Sequence, residues 1–158
     1  MSYTQADLDE VTKEASAEIV NLLSPEESEM FEEIFASVKG SEAGKGNPDS
    51  MLGFGVDALQ FLQTPAVIGM VSTVAGFLFS EVLKSLKDES SVIIKAKIKK
   101  LFKKGKDDPK ELLPSFTKDQ YATLKKLAFD SAKKFGATDD AADKMSLVLL
   151  GSMNLPQG

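Results

Sequence analysis

The chain is 158 residues long, enough for one domain with a substantial core, and its net charge is -5. It contains no cysteine and no histidine, which excludes disulfides, thiolate metal sites and every catalytic triad that depends on imidazole. The basic residues are all lysine, whereas arginine is the usual side chain for reading guanine edges or clamping phosphate. Most enzyme classes and sequence-specific nucleic-acid binding are therefore not expected.

Charge is divided unevenly along the chain. From Met1 to Asp57, thirteen acids and three lysines give -10, whereas from Ala58 to the end eleven acids and sixteen lysines give +5. An asymmetry of this size indicates either that the two halves pair or that the second half has an anionic partner. The polar, acidic N-terminus predicts no secretory signal, so we expect a cytoplasmic protein that is either soluble or peripheral to a membrane.

Residues 1 to 39 predict an acidic pair of helices. Thr4 is a candidate N-cap for the first. An apolar stripe at spacings of three and four follows, formed by Leu8, Val11, Ala15, Ile19 and Leu22. The sequence SPEE predicts the start of the second helix, with Ser24 as cap, Pro25 at the first helical position and Glu27 completing a capping box.

The remaining chain divides into four segments. Residues 40 to 50, GSEAGKGNPDS, predict a flexible loop. Residues 51 to 104 combine an apolar helix with a basic amphipathic helix, residues 105 to 116 predict a linker, and residues 117 to 152 predict a C-terminal helical hairpin. Sustained period-two alternation is missing throughout. We therefore predict an all-α protein, a single compact bundle of about six helices around a central apolar helix.

The hairpin has clear boundary residues. Thr117 and Gln120 have the spacing of a capping box, and Thr138 is a candidate N-cap for the final helix. Between them, Gly136 is placed to end the preceding helix. The stripe predicted for the first hairpin helix ends at Phe135.

The central apolar segment has two interpretations. Ala58 to Ser80 is a run of 23 uncharged residues, long enough to be considered as a membrane span, but only Ala66 to Ser80 is strongly apolar. A buried core helix is the favoured interpretation, and insertion of residues 58 to 83 into lipid is the alternative. Small residues at helical spacing predict close helix packing on one face, namely Gly69, Thr73, Gly76 and Ser80.

Residues 93 to 106 contain seven lysines, and Val92 to Lys104 is predicted to form the basic amphipathic helix. Its apolar stripe is Ile94, Ile98, Leu101 and Phe102. Its candidate binding lysines are Lys95, Lys97, Lys99, Lys100, Lys103 and Lys104. This pattern is typical of helices that dock on anionic membranes. The alternative is a solvated helix that packs through its stripe while its lysines face Glu26 to Glu33 or water.

No motif predicts a catalytic residue, a cofactor or a metal. Gly-x-Gly near residue 53 lacks its third glycine, and Gly-Lys near residue 45 lacks the spacing of a phosphate-binding loop. We therefore expect a non-enzymatic protein whose partner is an anionic lipid surface. The alternative is a soluble scaffold, adaptor or assembly subunit whose lysine face binds an acidic protein surface, and formation of a homo-oligomer stays open.

Overall fold

The computed structural model describes residues 3–43, 62–85, 88–103 and 116–155. These residues form seven helices and no strand. The helices are α1 (Gln5–Leu23), α2 (Pro25–Ser28), α3 (Phe31–Ala43), α4 (Thr64–Ser85), α5 (Ser91–Leu101), α6 (Lys118–Lys134) and α7 (Asp139–Ser152). The predicted all-α bundle is thus confirmed, and the additional helix is the single turn α2.

The most apolar helix, α4, lies at the centre of the bundle. It contacts α1, α3, α5, α6 and α7. Along its length Val67, Ile68, Val71, Val74 and Leu78 are completely buried. Full burial of one such side chain stabilises the fold by about 1.5–3 kcal/mol, which explains why the other helices assemble around this segment.

The predicted N-caps of three helices are confirmed. The hydroxyl of Thr4 accepts a hydrogen bond from Asp7 N at 3.1 Å, and the Asp7 carboxylate accepts one from Thr4 N in return. Thr117 and Gln120 form the same reciprocal pair at the start of α6, and Thr138 accepts from the first turn of α7. Each cap satisfies backbone N–H groups that a helix cannot satisfy internally.

Gly136 ends α6 as predicted. Its φ of 110° lies in the left-handed region, where a residue with a Cβ is strained. The amide of Gly136 donates to Lys133 O, and the amide of Ala137 donates to Ala132 O, which together form the paired closing bonds of a Schellman motif.

The predicted second helix differs from the structure in its organisation. It is divided into α2 and α3 by a turn at Glu29 and Met30. Ser24 precedes α2, but its side chain makes no capping hydrogen bond, so the predicted capping box with Glu27 is wrong. Pro25 does lie at the first helical position. The box fails because the Glu27 carboxylate is turned toward α4 and accepts hydrogen bonds there.

The predicted loop at residues 40 to 50 begins too early. Helix α3 continues through Gly40 to Ala43, and residues 44 to 50 lie outside the described part of the chain. Of the predicted linker at 105 to 116, only Phe116 is described, and its side chain is buried.

Two side chains predicted to be buried are exposed. Leu22 is 60% exposed because Ile19 and Val20 occupy the buried side of the last turn of α1. Phe135 is 39% exposed and lies after the end of α6, against the backbone of α4. Leu22 lies one residue before the end of α1 and Phe135 one residue after the end of α6, so both lie at a helix terminus.

Candidate functional site

Helix α5 carries the lysine cluster, and both of its ends are held by specific contacts. Ser90 caps the N-terminus by accepting a hydrogen bond from Ile93 N at 3.3 Å. At the other end, Asn154 N donates to Leu101 O at 2.7 Å, so the segment after α7 satisfies a carbonyl that the helix leaves free. The helix starts one residue before the predicted Val92 and ends three residues before Lys104.

The inner face of α5 is the predicted apolar stripe. Ile94, Ile98, Leu101 and Phe102 are all buried, with at most 4% of any side chain exposed, and they belong to the core cluster. The helix packs against both α1 and α4. In this conformation the stripe contacts protein, so these four side chains are not accessible to an outside partner.

One edge of α5 is paired with acids of α1. Lys95 Nζ lies 3.6 Å from an Asp7 oxygen and 3.5 Å from a Glu10 oxygen. Lys99 forms ion pairs with Glu10 and with Glu14, the second at 3.0 Å. The acids facing these two lysines therefore come from the first helix, and the expectation that residues 26 to 33 would face them is wrong for this edge.

These pairs affect the protonation of their members. Hydrogen bonding from Lys99 lowers the pKa of the Glu10 carboxyl, and hydrogen bonding to Glu10 and Glu14 raises the pKa of Lys99. The pKa of Asp7 is lowered chiefly by the amide of Thr4, with a smaller contribution from Lys95. Because the pairs are partly solvent-accessible, we assign them orientation and charge compensation rather than a large share of stability.

The outer face of α5 combines apolar and basic side chains. Val92 is 69% and Ile93 42% exposed, and Ala96, Lys100 and Lys103 are also exposed. At 3.6 residues per turn Val92, Ile93, Ala96 and Lys100 fall within about 100° of the helix circumference, and Lys103 follows in the turn after the helix. We call these five residues the outer face. Lys97 is half-buried at its border, and Lys104 lies outside the described residues.

A partly enclosed cleft separates α1 from the C-terminal end of α5. Its apolar floor is formed by Val11, Ala15 and Phe102. Its rim is formed by Glu14, Lys99 and Lys103. Lys103 makes no ion pair with any described residue, whereas Lys99 is shared between two carboxylates. Because Lys103 also belongs to the outer face, the cleft and the outer face are contiguous.

Helix α4 is the described helix that is long and apolar enough to cross a membrane. Within Thr64–Lys84 the most apolar window of 18 residues has a mean hydropathy of 1.9, and 61% of that window is buried by the surrounding helices. Core helices of soluble proteins meet the same criteria of length and composition. The contacts of α4 therefore agree with the favoured interpretation of a central core helix.

The small residues of α4 have different surroundings. At Gly69 a Cβ atom would overlap the ring of Phe135, so the absence of a side chain permits this contact. Thr73 donates its hydroxyl to Gly69 O at 3.1 Å. No described atom lies within 4 Å of a Cβ built at Gly76, and Ser80 is exposed. The predicted close packing is thus present at Gly69 and missing, within the described residues, at Gly76.

Sequence reasoning missed the role of Glu27. Its carboxylate is buried and accepts hydrogen bonds from Ser24 Oγ, Gln63 N and both the amide and hydroxyl of Thr64. Burial alone would raise the pKa of Glu27, but the bonds from Thr64 and its neighbours outweigh it and lower that pKa. The local pattern indicated a cap for α2, and nothing in it pointed to residues 63 and 64.

The described residues contain no group of three or more acidic side chains arranged to hold a metal ion. Comparison with family models, with curated proteins and with solved structures finds no match to this chain.

Proposed function

We propose that this is a non-enzymatic helical protein that associates reversibly with anionic membrane surfaces through the outer face of α5. The observation that supports the proposal is the exposure of Val92 and Ile93 on the same face as Lys100 and Lys103. Apolar side chains beside lysines are the composition that an anionic lipid interface selects. Docking through this face leaves the buried stripe and α4 in the bundle.

The size of the face predicts weak, salt-sensitive binding. Two lysines near an anionic surface contribute about 2 kcal/mol. Transfer of the exposed parts of Val92 and Ile93 into the interface contributes about 2–3 kcal/mol more. The sum corresponds to a dissociation constant of about 1 mM or somewhat lower, so binding is reversible.

Helix α1 limits this binding in the proposal. Lys95 and Lys99 lie beside the outer face, but their charge is compensated by Asp7, Glu10 and Glu14. Insertion of residues 58 to 83 is a separate step, because it would remove α4 from its contacts with five other helices. The docking proposal does not require that step.

The test is sedimentation of the full chain with vesicles, anionic against neutral, at low and high salt. We expect binding to anionic vesicles alone, reduced by salt. Val92→Ser with Ile93→Ser should weaken it, and so should Lys100→Gln with Lys103→Gln. Binding to neutral vesicles at equal strength, or no binding to either kind, would contradict the proposal.

Each double variant has a matched control on another helix. Lys125 and Lys126 are exposed lysines of α6, so Lys125→Gln with Lys126→Gln makes the same change in net charge. Leu147 is 52% exposed on α7 and is the control for removing an exposed apolar side chain. If the control variants lose as much binding as the α5 variants, attraction is general and the outer face is not the docking surface.

A soluble scaffold that binds an acidic protein surface is the second candidate. It is favoured by the ion pairs of Lys95 and Lys99 with carboxylates of α1, which show that this helix accepts acidic side chains within the protein itself. A monodisperse protein that ignores both kinds of vesicle would favour this function. Deleting residues 1 to 40 does not separate the two candidates, because α1 contributes Val11, Ile19 and Val20 to the core.

A further inference from the structure

We propose that the cleft between α1 and α5 binds the phosphate group of a single anionic phospholipid, an inference that rests on the proposed membrane function. Lys99 lies in the last turn of α5 and Lys103 lies two residues after its end, and both line the cleft. Lys103 is exposed and makes no ion pair with a described residue, so its ammonium can receive an added anion without breaking an ion pair within the described part of the chain. Two ammonium groups that line one cleft can both contact a phosphate placed between them.

The floor of the cleft indicates why the phosphate should belong to a lipid. Val11, Ala15 and Phe102 are apolar, and free inorganic phosphate gains nothing from contact with them. The cleft is small, about 30 Å³, so a phospholipid would place its phosphate on the basic rim and only its nearest carbons over the apolar floor. The cleft also borders the outer face, so a lipid held there would lie at the proposed membrane interface.

Glu14 acts as an internal competitor in this arrangement. Its carboxylate occupies one side of Lys99 at 3.0 Å, and it also lines the cleft. An incoming phosphate would be repelled by Glu14 and would compete with it for the same ammonium group. Removing this one charge should therefore strengthen lipid binding, whereas removing the charge of Glu18, an exposed position on the same helix, should not.

The probe is short-chain phosphatidic acid below its micellar concentration, titrated into the full chain and followed by backbone amide chemical shifts. Short-chain phosphatidylcholine and inorganic phosphate are titrated in parallel. We expect saturable shifts at the cleft with phosphatidic acid, and binding at least about fivefold weaker for the other two probes. Equal binding of inorganic phosphate or of phosphatidylcholine would overturn the proposal.

Four variants assign the effect to the cleft. Lys103→Gln should weaken binding about fivefold, and Glu14→Gln should strengthen it by a similar factor. Glu18→Gln is the matched control on an exposed position of the same helix and should change nothing. The larger side chain in Ala15→Leu should occupy the cleft and abolish saturable binding of phosphatidic acid. If Ala15→Leu fails to fold by circular dichroism, Lys103→Gln and Glu14→Gln still decide, because both residues are exposed.

The result separates this inference from the proposed function. If the protein binds anionic vesicles but shows no saturable binding of the short-chain lipid, the proposed lipid site in the cleft is wrong and the outer face stays the proposed docking surface. If the protein binds neither anionic vesicles nor the short-chain lipid, the membrane proposal and the lipid-site proposal are both overturned. Equal strengthening by Glu14→Gln and Glu18→Gln also overturns the cleft, because it would assign the effect to overall charge.

Discussion

The carboxylate of Glu27 accepts two hydrogen bonds from Thr64 through one oxygen, at 2.9 Å from the backbone amide and 2.7 Å from the hydroxyl. A third bond comes from Gln63 N at 3.1 Å to the other oxygen. Glu27 thus caps the N-terminus of the central helix from a position 37 residues earlier in the chain, where its negative charge faces the positive end of the helix dipole. This contact connects the acidic N-terminal helices to α4.

Replacing Glu27 with alanine should destabilise the protein by about 2 kcal/mol, because the buried amide and hydroxyl of Thr64 and the amide of Gln63 lose their acceptor. The free energy of unfolding in urea measures this loss. Glu26→Ala is the control, since Glu26 is exposed and, among the described residues, its side chain accepts a hydrogen bond from Ser24 alone. Equal losses in the two variants would mean that the cap has no special importance.

The same group predicts a pH dependence. The pKa of Glu27 is lower in the folded protein than in the unfolded chain, where it is about 4.3. Its contribution to stability is therefore complete above that value and is lost as the pH falls through the folded pKa. Between pH 6 and pH 3, the free energy of unfolding of the wild type should fall more than that of Glu27→Gln. An equal fall in the two proteins would contradict the lowered pKa of Glu27.

Gly69 and Gly76 should respond to alanine with opposite signs, although they lie two turns apart on one helix. Gly69→Ala forces a Cβ against Phe135 and should cost about 1–3 kcal/mol. Gly76→Ala meets no described atom within 4 Å and should stabilise the helix by about 0.5–1 kcal/mol. Thermal unfolding of both variants measures the difference. The double variant Gly69→Ala with Phe135→Ala should lose less stability than the sum of the two single variants, because the ring that the new Cβ would meet is removed. A loss equal to that sum would contradict a direct clash.

The hydroxyls of Thr12 and Ser16 are buried and have no hydrogen-bond partner among the described residues. A buried hydroxyl without a partner opposes folding, so Thr12→Val should stabilise the protein by about 1 kcal/mol while keeping the side-chain shape. Ser16→Ala should act in the same direction. Chemical unfolding measures both changes, and a clear loss of stability in either variant would show that its hydroxyl is satisfied in solution.

Glu10→Gln should increase binding to anionic vesicles. Glu10 pairs with both Lys95 and Lys99, so its neutralisation releases positive charge beside the outer face. We expect an increase of about fivefold in the vesicle partition constant at low salt. Glu18→Gln removes the same charge from an exposed position on α1 and serves as the control. If the partition constant rises equally for Glu10→Gln and Glu18→Gln, the change in net charge explains the effect and the specific ion pairs of Glu10 do not.

Local patterns were sufficient for the elements that depend on neighbouring residues. Thr4, Thr117 and Thr138 cap helices as predicted, and Gly136 ends α6, because a cap requires only side chains and amides within one turn. The stripe from Ile94 to Phe102 was also correctly predicted as an apolar face. Its environment, protein rather than lipid in this conformation, was not predictable from spacing.

The sequence by itself determined an all-helical protein with an acidic first part, a central apolar helix and a basic amphipathic helix, since composition and periodicity are properties of local segments. Only the tertiary structure decided that Glu27 serves Thr64 rather than its own helix, and that Lys95 and Lys99 face α1. The physical reason is that hydrogen bonds and ion pairs between distant segments depend on how helices cross. The way in which helices cross follows from packing around α4, which no single segment encodes.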